Sequence, residues 1–315
     1  MGYRGNEPTT RSGSRRWLRL LALVAAFVVI AAACGDSEPD DASGSGGSGG
    51  NGDGGGLLAQ LQESGSITIG IANETPFGFV GEDGEPTGIA PDVATAVLAE
   101  LGITDVNAEV VEFGQLIGSL LAGQYDLIAA GMYITPDRLQ QILFSDPDYC
   151  TKESLAVAEG NPLGIADYRS VAADPEATMA VATGTVEVGY AEAAGVPDDQ
   201  RQVFADIDGM YAALEAGEVD AVTGTAPTVD TQVAARSGIE AVEPFFPVDA
   251  QGQDLVPPCG GYGFRLENQD FRDAFNEKLD ELRADGTTTE LITAYEGFST
   301  EDVAKANGLT VDDFR

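Results

Sequence analysis

Chemistry first gathers in this sequence at an arginine one turn into a helix, with a hydroxyl cap ahead of it. Thr135-Pro136-Asp137-Arg138 reads as a helix start. Thr135 offers a capping oxygen, Pro136 suits the first helical position, and Asp137 places an acid in the first turn. Just upstream, Leu127-Ile-Ala-Ala130 is an apolar run bounded by Gly123 and Gly131. That is the pattern of a strand covered on both faces. Arg138 therefore falls beyond the carboxyl end of a strand, where open α/β sheets place ligand-contacting groups. A guanidinium there can hold a small carboxylate through two parallel hydrogen bonds. It can equally be a surface charge paired with Asp137 or Asp146.

Other chemistries have little to work with. The chain has no His, so neither a Ser-His-Asp nor a Cys-His arrangement can be built. Its Cys residues are Cys34, Cys150 and Cys259, and no Cys/His metal cluster follows from them. No catalytic residue, metal or cofactor is expected. Carboxylate pairs arise by sheer number and carry no weight. The formal net charge of −36 repels nucleic acid and anionic membrane, so a polyanion partner is not expected.

The elements that must position Arg138 can be read in order. Arg4, Arg11, Arg15, Arg16 and Arg19 precede an apolar run from Leu20 to Ala33, which is short for a spanning helix. Residues 1–33 read as a secretory signal. Ala31-Ala-Ala-Cys34 resembles a lipoprotein cleavage site with Cys34 as the lipidated residue, and Ser14-Arg-Arg-Trp-Leu18 resembles a twin-arginine export signal. A plain signal peptide with a chance Cys is the other reading. Residues 34–56 then form a Gly/Ser-rich tether that cannot bury apolar surface. It lacks the strand, the Lys and the helix of a phosphate-binding loop.

Folded sequence begins near Leu57. Ser66–Ile71 alternates as a strand, Asn73–Phe79 leaves its carboxyl end as a loop, and Glu82–Pro86 is a turn. The sequence predicts a helix over Ile89–Leu101, a strand over Val106–Phe113 and a helix over Gln115–Leu121. Strands alternating with helices argue a parallel sheet. Leu120-Leu-Ala-Gly-Gln-Tyr-Asp126 is echoed by Leu214-Glu-Ala-Gly-Glu-Val-Asp220. Each reads as a helix end, a Gly cap and a strand start, so two similar α/β lobes are expected, with Asp126 and Asp220 as turn residues. Strands at Met179–Ala182, Gln202–Phe204 and Ala221–Thr223 alternate with helices at Thr185–Ala194, Asp208–Ala216 and Ala226–Arg236. Gly261–Arg265 reads as a strand returning to the first lobe. Helices over Asn268–Arg283 and Thr287–Glu296 follow, and the tail beyond reads only as a solvated helix or extension. Thr185 lies at a helix N-terminus, where free N–H groups favour an anion, or it is an ordinary cap.

The run Gly123-x-Tyr-Asp126, Ala130-Gly-Met-x-Ile-Thr-Pro-Asp-Arg138, Phe144-Ser145 resembles the family 3 extracellular solute-binding proteins of ABC importers. The resemblance covers roughly Ile67 to Glu296. Asn73-Glu-Thr-Pro-Phe-Gly-Phe79, Glu112-Phe-Gly-Gln-Leu-Ile117 and Ala129–Arg138 are most similar to the branch that binds ectoine or hydroxyectoine. The resemblance implies an α/β, two-lobed type II periplasmic-binding fold, the second lobe inserted in the first through two hinge crossings. Lobe 1 would comprise 57–154 and 258–315, and lobe 2 would comprise 155–257. Cys150 and Cys259 fall one at each crossing. In an exported protein such a pair suggests a disulfide, against two buried free thiols.

The resemblance also implies a ligand site between the lobes. Arg138 would hold the ligand's carboxylate, and Thr185 would face it from the other lobe. In α-amino-acid members an acid pairs with the α-ammonium; the matching position here is Thr225. A Ser or Thr usually stands five residues before the Arg; here it is Tyr133. Both departures weaken an α-amino-acid reading. Phe77, Phe113 and Tyr133 instead offer aromatic faces to a diffuse cation, and Glu74 can accept from its N–H; the bland alternative packs these rings into the lobe cores. Gly131 completes the set. The expectation is a lipid-anchored monomer outside the cytoplasmic membrane that hands a small zwitterion, ectoine or hydroxyectoine, to an ABC permease. A polar amino acid or betaine-like solute is the alternative. A dehydratase-like enzyme or a sensor without an import role is a further reading.

Overall fold

The computed structural model describes residues 56–315. The expected signal at 1–33, the expected lipidation site Cys34 and all of the expected tether but Gly56 lie outside the described residues.

Helix α1 (Leu57–Ser64) ends at Gly65, whose left-handed φ of 70° turns the chain into strand β1 (Ser66–Ile71). Ile67, Ile69 and Ile71 are buried there. The expected turn joins β2 (Phe79–Val80) to β3 (Pro86–Thr87), and α2 (Ile89–Glu100) buries Val93, Val97 and Leu98. Strand β4 (Asp105–Val110) stops short of the expected Phe113, because its partner β1 ends opposite Val110. Phe113–Gln115 winds into a 3-10 turn before α3 (Leu116–Leu121). Strand β5 (Leu127–Ile128), α4 (Pro136–Leu139), β6 (Leu143–Phe144) and β7 (Tyr149–Cys150) complete this half.

Strand β8 (Glu153–Ala158) enters the second lobe. Helix α5 (Tyr168–Ala173), which periodicity did not reveal, is set by a reciprocal cap between Asp167 and Ser170. Then come β9 (Met179–Ala182), α6 (Glu187–Ala193), β10 (Arg201–Phe204), α7 (Ile207–Ala216), β11 (Ala221–Thr225), α8 (Ala226–Ala234) and β12 (Ile239–Ala241). Strands β13 (Cys259–Gly260) and β14 (Gly263–Phe264) return to the first lobe, followed by α9 (Gln269–Asp285), α10 (Thr287–Thr293) and α11 (Thr300–Ala306).

The result is two five-stranded sheets, ordered β4-β1-β5-β14-β6 and β10-β9-β11-β8-β12. This is the two-lobed α/β fold expected, with the second sheet built from a segment inserted between β7 and β13. The sheets are mixed rather than parallel. Strand β14 runs antiparallel to β5 and β6, and β8 runs antiparallel to β11 and β12. Both are the strands by which the chain changes lobes, so neither enters through the helical crossover that makes its neighbours parallel. The echoed acids are structural: Asp126 pairs with Arg265 at 3.2 Å, and Asp220 accepts from the Thr178 N–H at 2.8 Å.

The tail is not a solvated extension. Phe298 and Val303 join the core that holds Phe77 and Tyr149, while Ala306, Val311 and Phe314 pack with Leu116, Ile134 and the hinge cysteines. The Val311 N–H donates to Asp146 at 2.7 Å, anchoring the last turn. The apolar residues of this tail lie too far apart in a short, acidic segment to show a stripe.

The two crossings pair as strands, with Cys150 opposite Cys259 and a disulfide between them. The bond closes a loop of sequence separation 109. In the chain-entropy account such a loop stabilises the folded state by about 4–5 kcal/mol. The double variant Cys150→Ser/Cys259→Ser is expected to melt on the order of 10 °C lower, read by calorimetry without reductant. An unchanged melting temperature would show that the bond contributes nothing beyond its packing.

Candidate functional site

The two lobes meet over a cavity of about 350 Å³. From the first lobe, Glu74, Phe77, Phe113, Gly131, Tyr133 and Arg138 line it. From the second come Thr185, Glu187, Thr223, Thr225 and Thr228. Every ligand-contacting position expected from the sequence thus faces one space. Their placement follows from the loops at the carboxyl ends of β1, β4 and β5, as in other open α/β sheets.

Arg138 is where local sequence rules put it. Thr135 caps α4, its Oγ1 accepting from the Arg138 N–H at 3.3 Å, with Pro136 at the helix start. The side chain is only 7 % exposed. Its Nη1 donates to the Tyr133 carbonyl at 2.6 Å and its Nη2 to the Gly184 carbonyl of the other lobe at 2.9 Å. Its Cζ lies 5.5 Å from the centre of the Phe113 ring. Asp146, one of the surface partners considered, is engaged with Asn276 and Val311 instead. Burial lowers the Arg138 pKa from its ordinary value, and the nearby Glu187 opposes that most. A guanidinium has five N–H groups and these bonds use two, so a planar anion can still be held.

Glu74 occupies a tight loop in which its own N–H and carbonyl pair with Gly78. Its Oε1 accepts from the Thr228 hydroxyl across the lobes at 2.7 Å. Burial pushes its pKa up to about 7, against the Thr228 bond and with help from Glu187.

The aromatics do two jobs at once. Phe77 packs tilted on Tyr149 and edge-on to Phe298, each at 5.6 Å between ring centres, while also lining the cavity. Gly131 is required here: its φ is +65°, and a Cβ would sit 2.3 Å from the Phe77 ring. Tyr133 is buried with its hydroxyl unpartnered. Phe113 is half-buried. Thr225 caps α8, accepting from the Thr228 N–H at 3.3 Å. Thr185 is not the cap of α6; its hydroxyl donates to the Ala182 carbonyl at 3.0 Å, and the helix starts at Glu187.

The sequence did not single out three polar residues of this region. Thr228 makes the cross-lobe bond to Glu74. Glu187 lines the cavity from the first turn of α6, where an acid reads as an ordinary dipole partner. Glu153 opens the otherwise apolar strand β8, wholly buried, with neither oxygen hydrogen-bonded. A lone acid at the head of Leu155-Ala-Val157 was the one available signal. Among the described residues no group of His, Cys, Asp and Glu is arranged to hold a metal ion, and no helix is long and apolar enough to cross a membrane.

Two lobes on two crossings, closed over a small cavity with a buried cation at one wall and an acid bridging to the other lobe, define a solute-binding protein. Residues 67–298 match the model of the bacterial extracellular solute-binding proteins, family 3. A probable amino-acid ABC transporter periplasmic-binding protein of Sinorhizobium fredii is 32 % identical over 249 residues, covering 78 % of this chain and 82 % of the relative. The crystal structure of EhuB in complex with hydroxyectoine is similar with a TM-score of 0.73 and 33 % identity, covering 82 % of this chain and 97 % of that one. An ancestral arginine-binding protein bound to arginine is similar with a TM-score of 0.64 and 26 % identity, over 74 % of this chain and 99 % of that one. The chain belongs to the bacterial extracellular solute-binding proteins, family 3. It is the extracytoplasmic substrate-binding component of an ABC transporter and not an enzyme.

Proposed function

We propose that this protein captures ectoine or hydroxyectoine in the inter-lobe cavity and delivers it to the permease. The observation that carries the reading is the disposition of charge and rings. Arg138 is free to fork a carboxylate, and Phe77, Phe113 and Tyr133 offer faces to a delocalised cation. Glu74 accepts its N–H, while Thr225 stands where α-amino-acid binders carry their acid. The likeness to the hydroxyectoine complex of EhuB supports the same ligand class. A polar amino acid is the second reading, favoured by the 32 % identity to an amino-acid transporter component. With this function go lobes at 57–154 with 258–315 and at 155–257, and a lipid on Cys34. They would make the protein a monomer tethered to the outer face of the membrane.

Calorimetric titration of the purified protein with ectoine, hydroxyectoine, glycine betaine and glutamine tests this. Micromolar binding of ectoine or hydroxyectoine is expected. Glutamine binding without ectoine binding sinks the proposal. The pH dependence follows from Glu74. A ligand cation pairs with its ionised form, so affinity is full above about pH 7. Below that the proton competes, and affinity falls up to about tenfold per pH unit. In Glu74→Gln this slope disappears; a slope that survives assigns the dependence to another group.

A further inference from the structure

The second lobe brings an acid of its own to the cavity. Glu187 is 7 % exposed and lines the space that holds Arg138 and Glu74. Its Oε2 is sealed from solvent and has no hydrogen-bond partner. Next to it on β8, Glu153 is fully buried and both of its oxygens are likewise unpartnered, as is the Tyr133 hydroxyl. Four buried oxygens without partners therefore collect around Glu187, which itself acts on Arg138. Such groups are costly unless they share protons or meet a donor.

The charges around this cluster come from every element packed on it. Glu74 follows β1, Tyr133 follows β5 and Arg138 is on α4. Tyr149 is on β7, Tyr168 on α5 and Tyr190 on α6. Of the three carboxyls, Glu187 is the one that acts on the Arg138 guanidinium, and it also acts on Glu74 and Glu153. Burial first, and Glu187 second, push the Glu153 pKa well above its ordinary value. Its carboxyl lies within reach of the Glu187 side chain. Glu187 thus lies between Glu153 and the cavity that it lines.

We propose that Glu187 is a specificity-determining residue that takes an N–H of the ligand's cationic group from the second lobe, opposite Glu74 on the first, with Glu153 as its positioning residue. The inference rests on the proposed reading that the ligand's cation lies in this cavity. It adds a selection rule. An amidinium or ammonium, which carries N–H donors, satisfies both acids. A quaternary ammonium carries none and leaves both acids without a donor. Sites built to hydrogen-bond a ligand group reject analogues lacking that group far more strongly than apolar pockets reject a change of size.

The test is titration with ectoine and with glycine betaine near pH 8, where Glu74 is ionised. The unmodified protein is compared with Glu187→Leu, Glu187→Gln and Glu153→Gln, each checked for an unchanged melting transition. Ectoine should bind the unmodified protein at least about 100-fold more tightly than glycine betaine. Glu187→Leu should weaken ectoine by about tenfold or more while moving glycine betaine less than about threefold. Glu187→Gln, which keeps an acceptor oxygen and the shape, should lose less. Glu153→Gln mimics the protonated acid and should leave both affinities within about threefold. Equal losses for the two ligands, or none, overturn the role of Glu187. A tenfold loss in Glu153→Gln overturns the positioning of Glu187 by a hydrogen-bond donor at 153. Failure of the unmodified protein to bind ectoine overturns the ligand reading and this inference together, and is seen before any substitution is made. If Glu187→Leu does not fold, Glu187→Gln decides: an ectoine loss under about twofold overturns the proposal.

Discussion

Arg138→Ala is expected to remove solute binding, with affinity falling by on the order of 10²- to 10³-fold. The guanidinium is buried, so a ligand carboxylate meeting it does so with little water to screen the pair. Truncating one partner of a buried, hydrogen-bonded charge pair costs about 2–5 kcal/mol. The loss has two further sources here. Nη2 reaches the Gly184 carbonyl of the other lobe, so the side chain also helps hold the lobes together. Nη1 holds the Tyr133 carbonyl and so fixes the backbone that carries that ring. Arg138→Lys should recover little, because an ammonium cannot reproduce a planar fork that reaches two carbonyls and an anion at once. Titration of both variants with ectoine, hydroxyectoine and glutamine checks this, beside the melting temperature without ligand. Retained affinity in Arg138→Ala would place the ligand's anionic end elsewhere.

Gly184→Ala is expected to stop the lobes from closing. A Cβ at Gly184 would stand 2.6 Å from the Gly114 Cα, and one at Gly114 would stand 2.8 Å from the Thr183 carbonyl oxygen. Here backbone meets backbone between the lobes, and no side chain can swing aside. The lobes must part by a few tenths of an ångström or more. The bonds that bridge them, Glu74 to Thr228 and Arg138 to Gly184, weaken with the opening. Affinity should fall by about ten- to a hundredfold, and small-angle scattering of the ligand-saturated protein should show a larger radius of gyration than the parent.

Gly184 also has a φ of +78°, so alanine carries a conformational cost of roughly 1 kcal/mol whatever the space around it. Gly123→Ala separates the two effects. Gly123 has a φ of +72° with nothing within 4 Å of an added Cβ. It should lower the melting temperature by a similar amount and leave affinity intact. If both variants bind equally well, the glycine contact plays no part in closure.

Much of this site could be read along the chain because its signals are local. Thr135, Pro136 and Asp137 start a helix by their own side-chain chemistry, and that alone set Arg138 beyond a strand end. Gly123 and Gly217 cap helices with positive φ and so marked the repeated lobe pattern before any contact was known. The loop after β1 carried Glu74 and Phe77 as a unit. Phe77 then proved to be both lining and core, because Tyr149 and the distant Phe298 back its ring.

The sequence by itself determined the two α/β lobes, the place of Arg138, the ring and acid positions around it, and the cysteines at the crossings. The lobes, Arg138 and the cysteines depend on periodicity, caps and composition within a few residues, whereas the ring and acid positions were implied by the resemblance to the solute-binding family. Only the tertiary structure decided the rest. It reversed β8 and β14 in their sheets, since strand direction depends on how the chain travels between lobes. It folded the tail onto the hinge, where Val303, Ala306, Val311 and Phe314 find cover that no stripe announces. It also buried Glu153 against Glu187, two acids whose neighbours in sequence are ordinary. The energy of a carboxyl is fixed by what surrounds it in space, and those surroundings come from elements far apart in the chain.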